Sequence, residues 1–291
     1  MLGERPIGAV RTSGVQAFVS AASRVLAPST LRVAYSVVRS IFAAAVRDRV
    51  IPASPCDGVQ LPEVRSRKVQ PPSLDVVDRL TDLLPQRHRA VVDLVCGSGL
   101  RQGEVFGLEV VHLDFLRGRH LDVVQQLKTL ARQRFLCRPK TKESERAIPL
   151  AQVTLDALAA HLAAFPVGEV EVEDRLDPRK PHMRPARLVF TLDDGGSIAR
   201  HDWSPIWVPA ARAVGMAPRE GLHMLRHLYA SLLIRHGADV KQVQARLGHS
   251  SAVITLDLYG HLWPDSDDRT RDAVSAALGA RTDRPRTETG P

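Results

Sequence analysis

Cysteine is scarce in this chain: only Cys56, Cys96 and Cys137 occur, an odd number set far apart. That excludes a disulfide framework or a CxxC zinc site and leaves reduced, structural thiols as the expectation. Aromatic residues amount to 4%, too little for the platforms on which unpaired bases stack, so a duplex is a better partner than a single strand. No uncharged apolar run approaches the roughly 18 to 20 residues that cross a bilayer. The opening MLGERPIGAV carries Glu4 and Arg5 and has no apolar stretch followed by a small-residue cleavage site, so it does not read as a signal peptide. A soluble, cytoplasmic protein without membrane contact is expected. Acids are in the minority, 32 against 40 Lys and Arg, for a formal charge of +8. Such an excess favours a polyanionic partner, nucleic acid first, although many basic proteins bind none.

The 291 residues exceed what one core usually holds, which predicts two domains of unequal size. Helices are predicted over residues 13–25 and 30–48. In the second, Leu31, Tyr35, Val38, Ile41, Phe42, Ala45 and Val46 recur at helical spacing, while Arg32, Arg39 and Arg47 mark another face. Those arginines are the candidate DNA contacts of a small helical domain, residues 1–52. Prolines at 52, 55, 62, 71 and 72, with Arg65, Arg67 and Lys68, mark residues 53–72 as a linker.

Beyond it, Ser73 caps a helix reaching about Leu84, and an apolar helix covers 89–98. Residues 120–126, 133–139 and 146–150 read as three strands of one small antiparallel sheet. A helix at 153–164, a charged loop at 167–187 with no obvious core, and a short strand Leu188-Val189-Phe190 follow. Helices at 204–214, 224–236, 240–247, 253–260 and 268–278 complete a domain spanning 73–280, and 281–291 read as a disordered tail. The fold class is mainly α (α+β).

Four segments concentrate groups that bind phosphate. In Gly97-Ser98-Gly99-Leu100-Arg101-Gln102-Gly103-Glu104, a glycine turn delivers Arg101 to a helix start, and its planar fork can hold two phosphate oxygens. Glu104 can brace that guanidinium or cap the helix. Alone, the string is also an ordinary helix start with an exposed ion pair. Pro139-Lys140-Thr141-Lys142-Glu143-Ser144-Glu145-Arg146 is a charged tip between strands, from which a lysine can reach a groove and lend a proton, or simply be solvated. His223-Met224-Leu225-Arg226 puts His223 and Arg226 on one helical face; His227 is expected to point elsewhere. Finally, Leu247-Gly248-His249 precedes Tyr259 by about three turns of helix, and only three tyrosines occur in the chain. A half-buried core tyrosine is the plain alternative.

In this order the segments resemble the tyrosine recombinases of the phage-integrase type, over roughly residues 13–280. That family's signature is an Arg in Gly-Leu-Arg-x-x-Glu, a hairpin Lys, His-x-x-Arg, Leu-Gly-His and a tyrosine about ten positions later. Ala45-Val46-Arg47-Asp48-Arg49-Val50-Ile51, Leu188-Val189-Phe190 and Trp207-Val208-Pro209-Ala210 are similar to the family as well. The resemblance implies Arg101 and Arg226 as a phosphate clamp, His223 and His249 as donors to it, and Tyr259 as nucleophile. The hairpin lysine is Lys140, with Lys142 as the alternative. An N-terminal arm-binding domain, common in phage integrases, is expected to be absent.

The implied reaction suits these groups. Attack on a phosphodiester builds negative charge on its nonbridging oxygens, and each well-placed donor is worth roughly 3 to 4 kcal/mol there. No metal or other cofactor is then required. His223 is the expected acceptor of the tyrosine proton, and the hairpin lysine the donor to the leaving 5′ oxygen. The family implies a homotetramer on double-stranded DNA, with accessory DNA-bending or directionality proteins. The rival readings are a catalytically silent DNA-binding relative and a strand relaxation like that of type IB topoisomerases.

Overall fold

The computed structural model describes residues 3–63, 70–263 and 267–282. The chain divides into two compact units, Met1–Arg67 and Lys68–Pro291. In the first, α1 (Thr12–Ala22) and α2 (Pro28–Arg47) pack Val15 and Val19 against Leu31, Tyr35, Phe42 and Ala45. Pro28 starts α2 at the position where a missing N–H costs nothing. By length and composition α2 could cross a bilayer, yet Arg32 and Arg39 interrupt it and one face fills this core. Ile41 departs from expectation: it is 54% exposed. It continues the outer row of Val33 and Val37 at a spacing of one turn, not the row of Tyr35 and Phe42.

The proline-rich stretch is less of a linker than its composition suggests. Ile51 and Cys56 belong to the first unit's core, the Tyr35 hydroxyl donates to the Cys56 carbonyl (2.7 Å), and Gln16 pairs through its amide with both backbone groups of Gln60. Arg65, Arg67 and Lys68 lie outside the described residues.

The second unit is built on α4 (Gln86–Ser98), whose Ala90, Val91, Val92, Leu94 and Val95 are all buried. Around it lie α3 (Leu74–Leu83), α6 (Gln152–Ala164) and α8 (Leu222–Arg235). The Ser73 hydroxyl caps α3 by accepting from the Val76 amide. Further along are α5 (Gln102–Phe106), α7 (Arg200–Ala213), α9 (Val240–Leu247), α10 (Ala252–Tyr259) and α11 (Asp267–Thr282). Because α11 runs to Thr282, the first two residues of the expected disordered tail are helical; the rest lie outside the described residues.

Two sheets stand where one was predicted: β1 (Leu113–Asp114), β2 (His120–Val123) and β5 (Arg146–Pro149) form one, and β3 (Gln126–Leu130), β4 (Gln133–Cys137), β6 (Val170–Asp174) and β7 (His182–Ala186) the other. The predicted strand at 120–126 breaks at Gln125, whose buried amide donates to the Gly107 carbonyl (2.7 Å) and the Glu109 carboxylate (2.9 Å). Pairing is antiparallel except between β4 and β6. A tight turn with Ala131 and Arg132 at positive φ joins β3 to β4. Since β5 pairs with β2, the connection carrying Lys140 and Lys142 joins two sheets and does not close a hairpin.

The charged loop expected at 167–187 contains β6 and β7. Its charges concealed the strands because they are consumed internally: Arg184 pairs with both Glu109 and Asp174 at 2.7 Å. Leu188 forms an isolated bridge with Glu109, not a strand.

Candidate functional site

Two left-handed glycines shape the site. Gly99 (φ 66°) ends α4 and Gly248 (φ 64°) ends α9, a helix terminus that suits glycine because it lacks Cβ. A Cβ at Gly99 would collide with the Tyr229 ring, and one at Gly248 would come within 3.1 Å of the Ser144 backbone. The freed carbonyls gather the two arginines that the sequence singled out. Arg226 donates to Gly99 O and Leu247 O, both at 2.6 Å, and Arg101 donates to Gly248 O at 3.0 Å. Consecutive carbonyls thus hold guanidiniums from elements 125 positions apart in the chain.

Around Arg101 a carboxylate offsets part of the positive charge. Glu104 accepts from the Arg101 amide (2.9 Å) and guanidinium (2.8 Å), so it both caps α5 and braces the arginine. A third arginine completes the cluster: Arg146 reaches Glu104 at 2.9 Å and donates to the Arg246 carbonyl at 2.8 Å. Burial alone would raise the Glu104 carboxyl, but Arg146 and then Arg101 outweigh it and hold the group below its ordinary range. Ser144, on the lysine-bearing connection, donates to Gly248 O at 3.4 Å. Lys140 and Lys142 themselves are exposed, and among the described residues neither has a side-chain hydrogen bond or ion pair.

Around Arg226 there is no carboxylate partner among the described residues. The guanidinium is 1% exposed, its Nε has no partner among the described residues, and burial followed by Arg101 pushes its pKa down to about 9. It stays a cation at neutral pH, one whose bonds go only to neutral oxygens. Tyr259 closes the same corner from the end of α10. Its ring lies nearly parallel to His249 (7°, centroids 6.5 Å apart) and edge-on to His227 (5.5 Å). Burial pushes the Tyr259 phenol up to about 12, with Arg226 pulling the other way.

His249, turned inward by Gly248, bonds through Nδ1 to the Thr255 hydroxyl at 3.0 Å. Burial first, then Arg226 and Arg101, depress it to about 3, so it is a neutral imidazole. His223, although exposed, is also held below its ordinary value by desolvation against its neighbours and then by Arg226 and Arg101.

One expectation is overturned here. His227 does not point away: it is buried and its Nδ1 lies 2.6 Å from the Tyr259 hydroxyl. His223 packs against His227, ring against ring at 4.5 Å. The missed signal lay in α8, where Leu225, Leu228, Ala230 and Ser231 are buried along with Arg226. A polar residue in so buried a helix must find a partner. Arg146 was missed too, although in β5 it alternates with the buried Ile148 on one face.

Residues 73–265 match the model of the phage integrase family. The chain belongs to the phage integrase family. As a member of that family it is 26% identical over 253 residues to a tyrosine recombinase XerC-like protein of Caldanaerobacter subterraneus subsp. tengcongensis, covering 81% of this chain and 63% of the relative. It is 27% identical over 242 residues to the ICEBs1 integrase of Bacillus subtilis, covering 82% and 63%. The chain therefore spans about 63% of the length of these relatives. Among solved structures, the Tn1549 transposon integrase in complex with transposon right end DNA has a TM-score of 0.77 at 20% identity, covering 94% of this chain and 87% of that one. A lambda integrase dimer bound to a COC′ core site gives 0.60 at 17%, covering 86% and 82%. At such identities these establish the phage integrase fold.

Proposed function

We propose that this chain cuts and rejoins duplex DNA at specific sites through a 3′-phosphotyrosine formed on Tyr259. The observation that carries this reading is the convergence of Arg101 and Arg226 on consecutive carbonyls of the Leu247-Gly248-His249 turn, with the Tyr259 phenol in the same buried corner. A phosphodiester brings what Arg226 lacks, an anion, and two guanidiniums oppose the charge that grows on its nonbridging oxygens. The phenol oxygen attacks phosphorus as its proton passes to a neighbouring imidazole. The departing 5′ oxygen takes a proton from Lys140, and His223 and His249 donate to the phosphoryl group. The phosphotyrosine keeps the bond energy, so another strand's 5′ hydroxyl can displace the tyrosine without an external energy source or a cofactor.

Similarity to proteins solved with transposon end and core-site DNA supports double-stranded DNA as substrate. Arg32, Arg39 and Arg47 are exposed along α2 and suit backbone phosphates. Exchange between two duplexes implies a homotetramer, aided by DNA-bending or directionality proteins, acting at the nucleoid in the cytoplasm.

The test is covalent capture. DNA crosslinked to the protein in its host is sequenced, and a nicked duplex carrying the recovered site is incubated with purified protein. A denaturant-resistant adduct is expected with the native chain and none with Tyr259→Phe, while DNA affinity stays unchanged. An adduct that persists in Tyr259→Phe, or none with the native chain, would overturn the reading. Relaxation of supercoils without paired sites would make it a topoisomerase.

A further inference from the structure

We propose that His227 is a positioning residue for the nucleophile, its Nδ1 fixing where the Tyr259 hydroxyl and its proton point before DNA is engaged. This rests on the reading of Tyr259 as nucleophile. The Tyr259 side chain is 1% exposed and packs with Ile234, Val243 and Leu247. Its ring is set by apolar walls and the flanking histidines, but among the described residues only His227 bonds its hydroxyl, at 2.6 Å. A phenol free to rotate its O–H would present the attacking lone pair in many directions. One held by a single strong acceptor presents it in few, and such restriction is worth much in rate.

The direction of the bond follows from the surroundings. Burial, then His223 and Arg226, press the His227 imidazole down to about 4, while burial raises the phenol to about 12. Both are neutral near pH 7, so the phenol donates to Nδ1 and the ring proton sits on Nε2, which has no partner among the described residues. The phenol proton therefore already points at a base when the phosphate arrives, and the cation Arg226, the preceding residue, opposes a second positive charge on the ring until an anion enters.

Two variants of the full chain test this. In His227→Phe the ring survives without its acceptor; in His227→Asn an amide oxygen can stand near the Nδ1 position. Single-turnover adduct formation at saturating nicked duplex should fall roughly 10- to 100-fold in the Phe variant with affinity unchanged, and return to within about threefold of native in the Asn variant. Independently, imidazole ¹⁵N spectra of the DNA-free chain should show the His227 Nδ1 resonance moving toward that of a free, unprotonated nitrogen in Tyr259→Phe. Native cleavage in His227→Phe, equal losses in both variants, or an unmoved resonance would each overturn the proposal. A resonance that moves in a chain forming no adduct at all would sink the nucleophile reading, and the role of His227 in cleavage with it, leaving only the contact.

Discussion

The two arginine corners of the site are built on opposite electrostatic terms. At Arg101 a carboxylate is shared with Arg146, so the resting protein already offsets part of the positive charge: Glu104 and Arg146 are 3% and 6% exposed in their side chains. At Arg226 the charge is equally buried but is met by carbonyls and neutral rings alone. Ion pairing gives the first corner rigidity, since breaking a buried pair leaves an uncompensated charge. The second is left with an unmet demand for an anion, which in this reading is the scissile phosphate. Both guanidiniums serve the phosphate in this reading, but only the first corner is also braced by an ion pair.

The sharpest way to break this comparison is Arg226→Lys. A point charge cannot span Gly99 O, Leu247 O and a phosphate together, so adduct formation should drop by about 10²- to 10³-fold, while the carbonyl left without a donor costs the fold only about 1 to 3 kcal/mol. A variant that cleaves normally, measured in single turnover, would refute the division. Next comes Glu104→Gln, which should act on folding: removal of one partner from a buried pair costs about 3 to 5 kcal/mol, read by denaturant unfolding. Its stabilising effect in the native chain also has a pH sign. A carboxyl held below its ordinary value contributes fully above that value and less as pH falls through its folded pKa. Acid sensitivity in that range should thus shrink in Glu104→Gln.

At neutral pH the smallest effect belongs to the histidines, which act only in acid. His227 and His249 are depressed from 6.5 to about 4 and about 3, so the unfolded chain binds protons that the folded chain refuses. Stability should be unaffected by them above pH 6.5 and decline as pH falls toward 3, a window set by those two shifts. The double variant His227→Asn, His249→Asn should have a shallower decline, measured as unfolding free energy against pH; an identical slope would contradict the neutral, buried assignment.

Most helices were legible because their periodicity and caps are local. Ser73 caps its helix as read, residues 240–247 were placed to the residue, and α2 begins at Pro28, two residues before the expected start. Strand partnership was not: β5 pairs with β2 in a sheet apart from β4, and β6 and β7 hid among charges that turned out to pair with one another. In the site, motif order pointed to Arg101, Glu104, His223, Arg226, His249 and Tyr259, which the fold brings into one region. Lys140 stays an exposed group on a connection that Ser144 and Arg146 anchor there.

By itself the sequence determined which residue types stand at which spacing: glycines where helices must end, arginines where a fork is needed, a tyrosine a short helix beyond Leu-Gly-His. Only the tertiary structure decided the pairings, that Arg146 shares Glu104 and that His227 holds the Tyr259 hydroxyl. Backbone rules act over a few residues, whereas a buried polar group takes whatever partner the packing brings within about 3 Å, and that neighbour is usually far away in the chain.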